Sequence, residues 1–203
     1  LQVNLEKLEE LYGRNIEFAS RDMVEKNSDE ILMKAKEDDV ALLIVGDIFS
    51  ATTHLDLVLR AKEKNIEVKY IHNASILNAI GVVGLELYKF GKTTSITFEN
   101  DNLKTPIEVF KNNKKLGLHT LFLLDIDAEN NKFFSIKEAC EYLIKNKINE
   151  LGIGCAGIGN ENQEIKVGKM SELLNIEFNL YPQCLVIPGK LHFMEEEALK
   201  QWK

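Results

Sequence analysis

Apolar positions along this chain follow two periods. Leu5, Leu8, Leu11 and Tyr12 recur at helical spacing, with Asn4 placed to cap the first turn. Residues 20–36 and 53–64 carry further helical patterns, the second with Leu55, Leu57, Val58 and Leu59 on its apolar side. Between them Val40-Ala41-Leu42-Leu43-Ile44-Val45 is apolar without interruption, the signature of a strand buried on both faces. Residues 66–71 form the next strand candidate. Strand, helix and strand in that order predict a βαβ unit and a parallel sheet. A short helix over 74–80 then follows, entered through Asn73.

Beyond Gly81, Gly84 and Gly91 the pattern shortens and alternates. Ser95-Ile96-Thr97-Phe98 reads as a half-buried strand. Pro106 fits the first turn of a helix running to about Leu116, and Gly117 ends it. Residues 118–126 predict a strand and residues 135–145 a helix, with Glu138 three residues after Ser135 as in a capping box. Strands are expected at 151–156, 164–167 and 184–187, and a last helix near Met194. The link 127–135 is short and polar. Two α/β lobes result, residues 1–91 and 92–203.

Composition narrows the picture little. Of 203 residues, 45% are hydrophobic and 28% charged, as in an ordinary globular protein with a real core. No apolar run is long enough for a membrane span, and nothing resembles a secretion signal. A formal charge of −7 is poorly matched to a phosphate backbone, which disfavours nucleic acid as partner. Cys140, Cys155 and Cys184 form no C-x-x-C pair or Cys/His cluster, which argues against structural zinc and for small buried hydrophobes in a reducing compartment. The chain opens on Leu1, and a segment is expected to precede it.

Chemistry concentrates at two small-residue segments that follow apolar runs, Val45 to His54 and Ile71 to Gly81. Ligands of open α/β sheets collect at such places. For Asp47 the spacing alone favours a cap on the next turn over a ligand contact, since Asp accepts backbone N–H bonds well. Asn73, Ser75 and Asn78 fit either an anion-holding turn or a well-capped helix. Gly152-Ile153-Gly154-Cys155-Ala156-Gly157 matches G-x-G-x-x-G formally. Its glycines, however, lie inside a strand candidate, and polar loop follows instead of helix, which disfavours a dinucleotide site; a glycine-rich strand end that lets a ligand approach the backbone is the better reading. His72, His119 and His192 are too scattered for a metal triad, and His119 reads as structural. Glu195-Glu196-Glu197 is expected to favour the first turn of the last helix through its dipole. No nucleophile elbow or Cys/His pair is present.

These segments resemble one family. The blocks Leu8-Glu9-Glu10-Leu11-Tyr12-Gly13-Arg14, Val45-Gly46-Asp47, Ala51-Thr52-Thr53-His54, Asp56 to Ala61, Ile71 to Gly81, Leu87-Tyr88-Lys89-Phe90-Gly91, Gly117-Leu118-His119-Thr120-Leu121 and Leu123-Leu124-Asp125-Ile126 are similar, in order, to the diphthine synthases. The resemblance implies a two-lobed, tetrapyrrole-methylase-like α/β fold. It has a parallel-sheet N-terminal lobe, a mixed-sheet C-terminal lobe and the cofactor in the cleft between. It implies S-adenosyl-L-methionine as methyl donor, S-adenosyl-L-homocysteine as product, and the modified histidine of elongation factor 2 as acceptor, in a cytoplasmic homodimer. The eukaryotic style of the blocks points to a four-methyl, ester-forming outcome. Carried over residue by residue, the donor pocket takes Asp47, Ser50, Ser75, Ile76, Leu124, Ala156 and His192, with no catalytic base and no metal. Ile48 and Ser50 depart from the proline and glycine usual there, and the family's first glycine-rich strand and loop have no counterpart in these residues. Rival readings are a relative acting on a tetrapyrrole or ribosomal RNA, a binding protein without donor affinity, and a nucleotide-binding α/β protein.

Overall fold

The structure is a computed structural model and describes residues 4–127 and 130–203; residues 1–3, and 128 and 129 of the polar link, lie outside the described residues. The chain divides into two units, Leu1–Leu77 and Asn78–Lys203. This division comes before the expected seam after residue 91. Residues 78–91 group with the second unit, where Trp202 Nε1 donates to Val83 O and Gly91 N–H to His119 O.

The first unit is helical. It holds α1 (Leu5–Tyr12), α2 (Arg21–Glu25), α3 (Asp29–Glu37) and α4 (Leu55–Glu63). Asn4 accepts from Lys7 N–H, as its position predicts. The expected helix over 20–36 is broken in two at residues 26–28. Ser28, buried in the break, accepts from the Arg60 guanidinium of α4, so tertiary packing overrides the helical period. The runs 40–45 and 66–71 do not form the predicted strands. A buried parallel strand needs a laddered neighbour and cover on both faces. Among the described residues neither run pairs with a strand, and Leu43, Val45 and Ile71 are exposed.

The second unit is built on a five-stranded mixed sheet. After the short helix α5 (Ile76–Ala79) and two 3-10 turns come β1 (Thr94–Ile96), α6 (Thr105–Lys115), β2 (Thr120–Leu124), β3 (Ile126–Asp127), β4 (Lys132–Phe133) and α7 (Ile136–Lys145). Then follow β5 (Leu151–Ala156), β6 (Glu164–Lys169), α8 (Met170–Leu173), β7 (Gln183–Ile187) and α9 (Phe193–Leu199). The order is β1-β2-β7-β5-β6, parallel only at β1–β2, while β3 and β4 form a separate hairpin. Pro106 lies in the first turn of α6, and Ser135 and Glu138 form the expected capping box on α7. The predicted strand over 118–126 is interrupted at Asp125, whose N–H donates to Ile96 O and whose carboxylate accepts from Phe98 N–H. Ile96, Phe122, Leu124, Leu185 and Ile187 of the sheet pack with Phe110, Ile136, Cys140, Leu143, Met170 and Leu173 of the helices.

At two glycines of β5, where the sequence suggests room for a ligand against the backbone, side chains of the protein itself fill the space. A Cβ on Gly154 would come within 2.6 Å of the Phe178 ring, and one on Gly152 within 2.4 Å of Met170 Cε. Cys140, Cys155 and Cys184 are buried and free. Burial pushes the Cys140 thiol up to about 12, which makes it inert.

Candidate functional site

In the first unit the chemistry gathers on Asp47. Gly46 turns the chain with φ of 87°, a conformation that favours glycine. Asp47 Oδ1 accepts from Phe49 N–H at 3.0 Å and from the Ser50 hydroxyl at 3.3 Å. Oδ2 accepts from Asn73 N–H at 3.2 Å and meets His72 Nδ1 at 2.9 Å. The carboxylate therefore caps its own turn and ties it to the second loop. The Phe49 N–H, His72 and Asn73 N–H bonds hold its pKa down at about 2, so it is ionised at neutral pH. Ser50 turns its hydroxyl onto Asp47. Ala51, next in the loop, has φ of 58°, a strained setting for a residue with a Cβ.

Farther along, Asn73 Oδ1 accepts from Ala74 N–H at 2.8 Å and Ser75 Oγ from Leu77 N–H at 3.2 Å. Ser75 thus caps the first turn of the short helix that follows, while Asn73 Oδ1 bonds an N–H that lies before the helix. Ser75 and Ile76 lead into α5, which is shorter than the expected 74–80 because residues 80–83 tighten into a 3-10 turn.

In the second unit the expected residues separate. β2 and β5 both run antiparallel to β7, so they point the same way. Leu124 and Ala156 are their last residues, at one end of the sheet, with Ala156 opposite Gln183. That is the end where α/β sheets receive ligands. His192 follows β7 and lies toward the other end, about four residues or ~13 Å along the strands. There Gly189 N–H donates to His119 Nδ1 at 2.9 Å, and His192 caps α9. A cavity of about 340 Å³ opens at this end, lined by Lys89, Leu116, Gly117, Leu118, Lys190, Leu191 and His192. It is shallow and largely open to solvent.

Next to that cavity lies a group whose role the sequence did not disclose. Glu195 is only 1% exposed. Its Oε1 accepts from Glu86 N–H at 2.9 Å and from His119 Nε2 at 2.9 Å; its Oε2 accepts from His192 N–H at 2.8 Å and pairs with Lys89 Nζ. Burial alone would raise its pKa, but Lys89, the two main-chain N–H groups and His119 together bring it to about 2. Glu195 and Glu196 lie in the first turn of α9, as expected, but of the three glutamates Glu195 alone turns inward. Only the Glu three residues after the cap hinted at this. His119, fully buried, is structural as expected. Burial lowers its pKa, and with Nδ1 accepting from Gly189 the neutral ring donates from Nε2.

Among the described residues no three His, Cys, Asp or Glu side chains could together hold a metal, and no helix is long and apolar enough to cross a membrane.

Comparison with known proteins adds four findings. The family model of the Tetrapyrrole (Corrin/Porphyrin) Methylases matches residues 5–174. The chain is 43% identical to a diphthine synthase of Methanocaldococcus jannaschii, over 96% of this chain and 81% of that protein. It is 38% identical to a diphthine methyl ester synthase of Dictyostelium discoideum, over 98% of this chain and 83% of the relative. A crystal structure of diphthine synthase superposes with a TM-score of 0.91 and 32% identity, covering 98% of this chain and 80% of that one.

Proposed function

The chain belongs to the tetrapyrrole (corrin/porphyrin) methylase family and, within it, to the diphthine synthases; from that premise we propose that it transfers methyl groups from S-adenosyl-L-methionine to the modified histidine of elongation factor 2. It is a methyltransferase of diphthamide biosynthesis. Asp47, Ser50, Ser75 and Ile76 of the first unit and Leu124, Ala156 and His192 of the second are the residues assigned to the donor. The protein works in the cytoplasm as a homodimer.

The observation that carries the reading is the Asp47 cluster, at the loops where the resemblance puts the donor. The donor set fits a polar nucleoside. Asp47 is ionised, and its four acceptor positions are all engaged. Two of the partners are main-chain N–H groups and a third is the nearby Ser50 hydroxyl. The fourth, His72, has a side chain 69% exposed, so its ring can swing out and yield its place to a hydroxyl of the donor. The cavity beside His192 offers a second polar and apolar surface.

When bound, the sulfonium supplies a methyl group that is already activated. The protein's part is to align acceptor and donor and keep water out. Asp47 orients rather than takes a proton: a carboxylate at about 2 is a poor base at neutral pH.

Mass spectrometry of elongation factor 2 carrying the unmethylated histidine derivative, incubated with the protein and S-adenosyl-L-methionine, tests this. The expected result is a mass gain in whole methyl steps, four in the ester-forming outcome. Methylation of a tetrapyrrole or ribosomal RNA, with elongation factor 2 untouched, would overturn it.

A further inference from the structure

Glu195 is more than the third residue of a capping box. Such a box needs one carboxylate oxygen on one N–H, and it works at the surface. Here two of the four donors, His119 Nε2 and Lys89 Nζ, are side chains from elsewhere in the chain, and a third is the main chain of Glu86. Taking a carboxylate and an ammonium out of water is costly, and a buried pair adds little net stability. What the arrangement secures is geometry. One carboxylate fixes the turn at residues 86–89, the entry to β2 at His119 and the main chain of His192. His119 in turn holds the 189–192 segment through Gly189 N–H. Two of the residues so fixed, Lys89 and His192, line the cavity of about 340 Å³. The His192 ring is itself set by Met194 N–H on Nδ1 and by the Phe193 ring at 4.2 Å.

We propose that Glu195 is a positioning residue for methyl-donor binding: through its bonds to His192 N–H and Lys89 it holds His192 against the cavity in the orientation the donor meets. The proposal rests on the assignment of His192 to the donor. It separates Glu195 from Glu196 and Glu197, which are exposed on the same helix.

The test compares the wild type with Glu195→Gln in the intact protein. Gln keeps the volume but turns an amide NH₂ toward two of the four donors. Two readouts are taken: the Kd for S-adenosylhomocysteine by calorimetry, and kcat with the separate KM values for S-adenosylmethionine and for elongation factor 2. A residue that only supports the fold lowers the active fraction and leaves both KM values alone. The proposal expects donor KM and Kd to rise about tenfold or more, the loss of about one charge-assisted hydrogen bond's worth of ordering. Acceptor KM and kcat should stay within about twofold. Should Glu195→Gln fail to fold, Lys89→Gln removes one of the four bonds and is expected to raise donor KM about threefold. Unchanged donor KM in whichever variant folds overturns the proposal. A wild type that binds no S-adenosylhomocysteine instead overturns the donor reading on which it stands, and the two failures are thereby distinct.

Discussion

Asp47 and Glu195 each collect four hydrogen-bond donors on two oxygens and each titrate near 2, yet they sit in opposite surroundings. Asp47 joins two loops flanked by runs without regular structure, and its partner His72 is exposed. Glu195 is buried where a turn, a strand and a helix meet, and its partner His119 is fully buried. The same inventory of bonds therefore makes a replaceable contact in one unit and a fixed joint in the other. A carboxylate with an exposed partner can exchange that partner for a ligand. A carboxylate that is itself buried and tied to a buried histidine holds the segments around it in place.

The contrast is tested hardest by removal. Glu195→Ala leaves Lys89, His119 and two main-chain N–H groups facing an empty site, and is expected to cost about 3–5 kcal/mol of stability. Urea denaturation measures it; a loss under about 1 kcal/mol would erase the distinction from Asp47. Gly189→Ala probes the same joint through the backbone. Its Cβ would fall 2.4 Å from Gly117 O and 2.5 Å from Leu118 O, where no flexible side chain can give way. The expected cost is about 1–3 kcal/mol.

Acid should strip the joint in stages. Burial lowers the pKa of His119 below its ordinary 6.5, so below that pH the unfolded chain takes up a proton that the folded chain resists, and stability falls. Glu195 is depressed from 4.5 to about 2. Its contribution is complete above its unfolded value and is lost as pH drops through the window between the two. Urea midpoints measured from about pH 7 down to about pH 3 should show both limbs, and Glu195→Gln should shrink the lower one, leaving the part that Asp47 contributes. A flat wild-type profile would contradict the assignment of these groups.

Much of the second unit was legible in the sequence because its signals are local. Ser135 with Glu138, Pro106 with Gly117, and the apolar runs of β5 and β7 each mark an element within a few residues. The first unit's strands misled for a related reason. An apolar run such as Val40 to Val45 declares a tendency to be buried, but a ladder needs a partner that periodicity does not name. At the site, Asp47 was visible from its place after an apolar run, and its joint role as cap and bridge was not, because His72 and Asn73 reach it from the next loop. Glu195 was hidden inside a run of three identical residues. What singles it out is Lys89, His119 and the N–H of Glu86, brought from positions 76 to 109 residues away.

Calorimetry of S-adenosylhomocysteine with the wild type and Asp47→Asn tests the central claim most directly. The account predicts saturable binding by the wild type and affinity about tenfold weaker in the variant, since an amide has one accepting oxygen and cannot serve the remaining loop partners and the donor hydroxyl together. Absence of binding by the wild type, or equal affinity in both proteins, would contradict it.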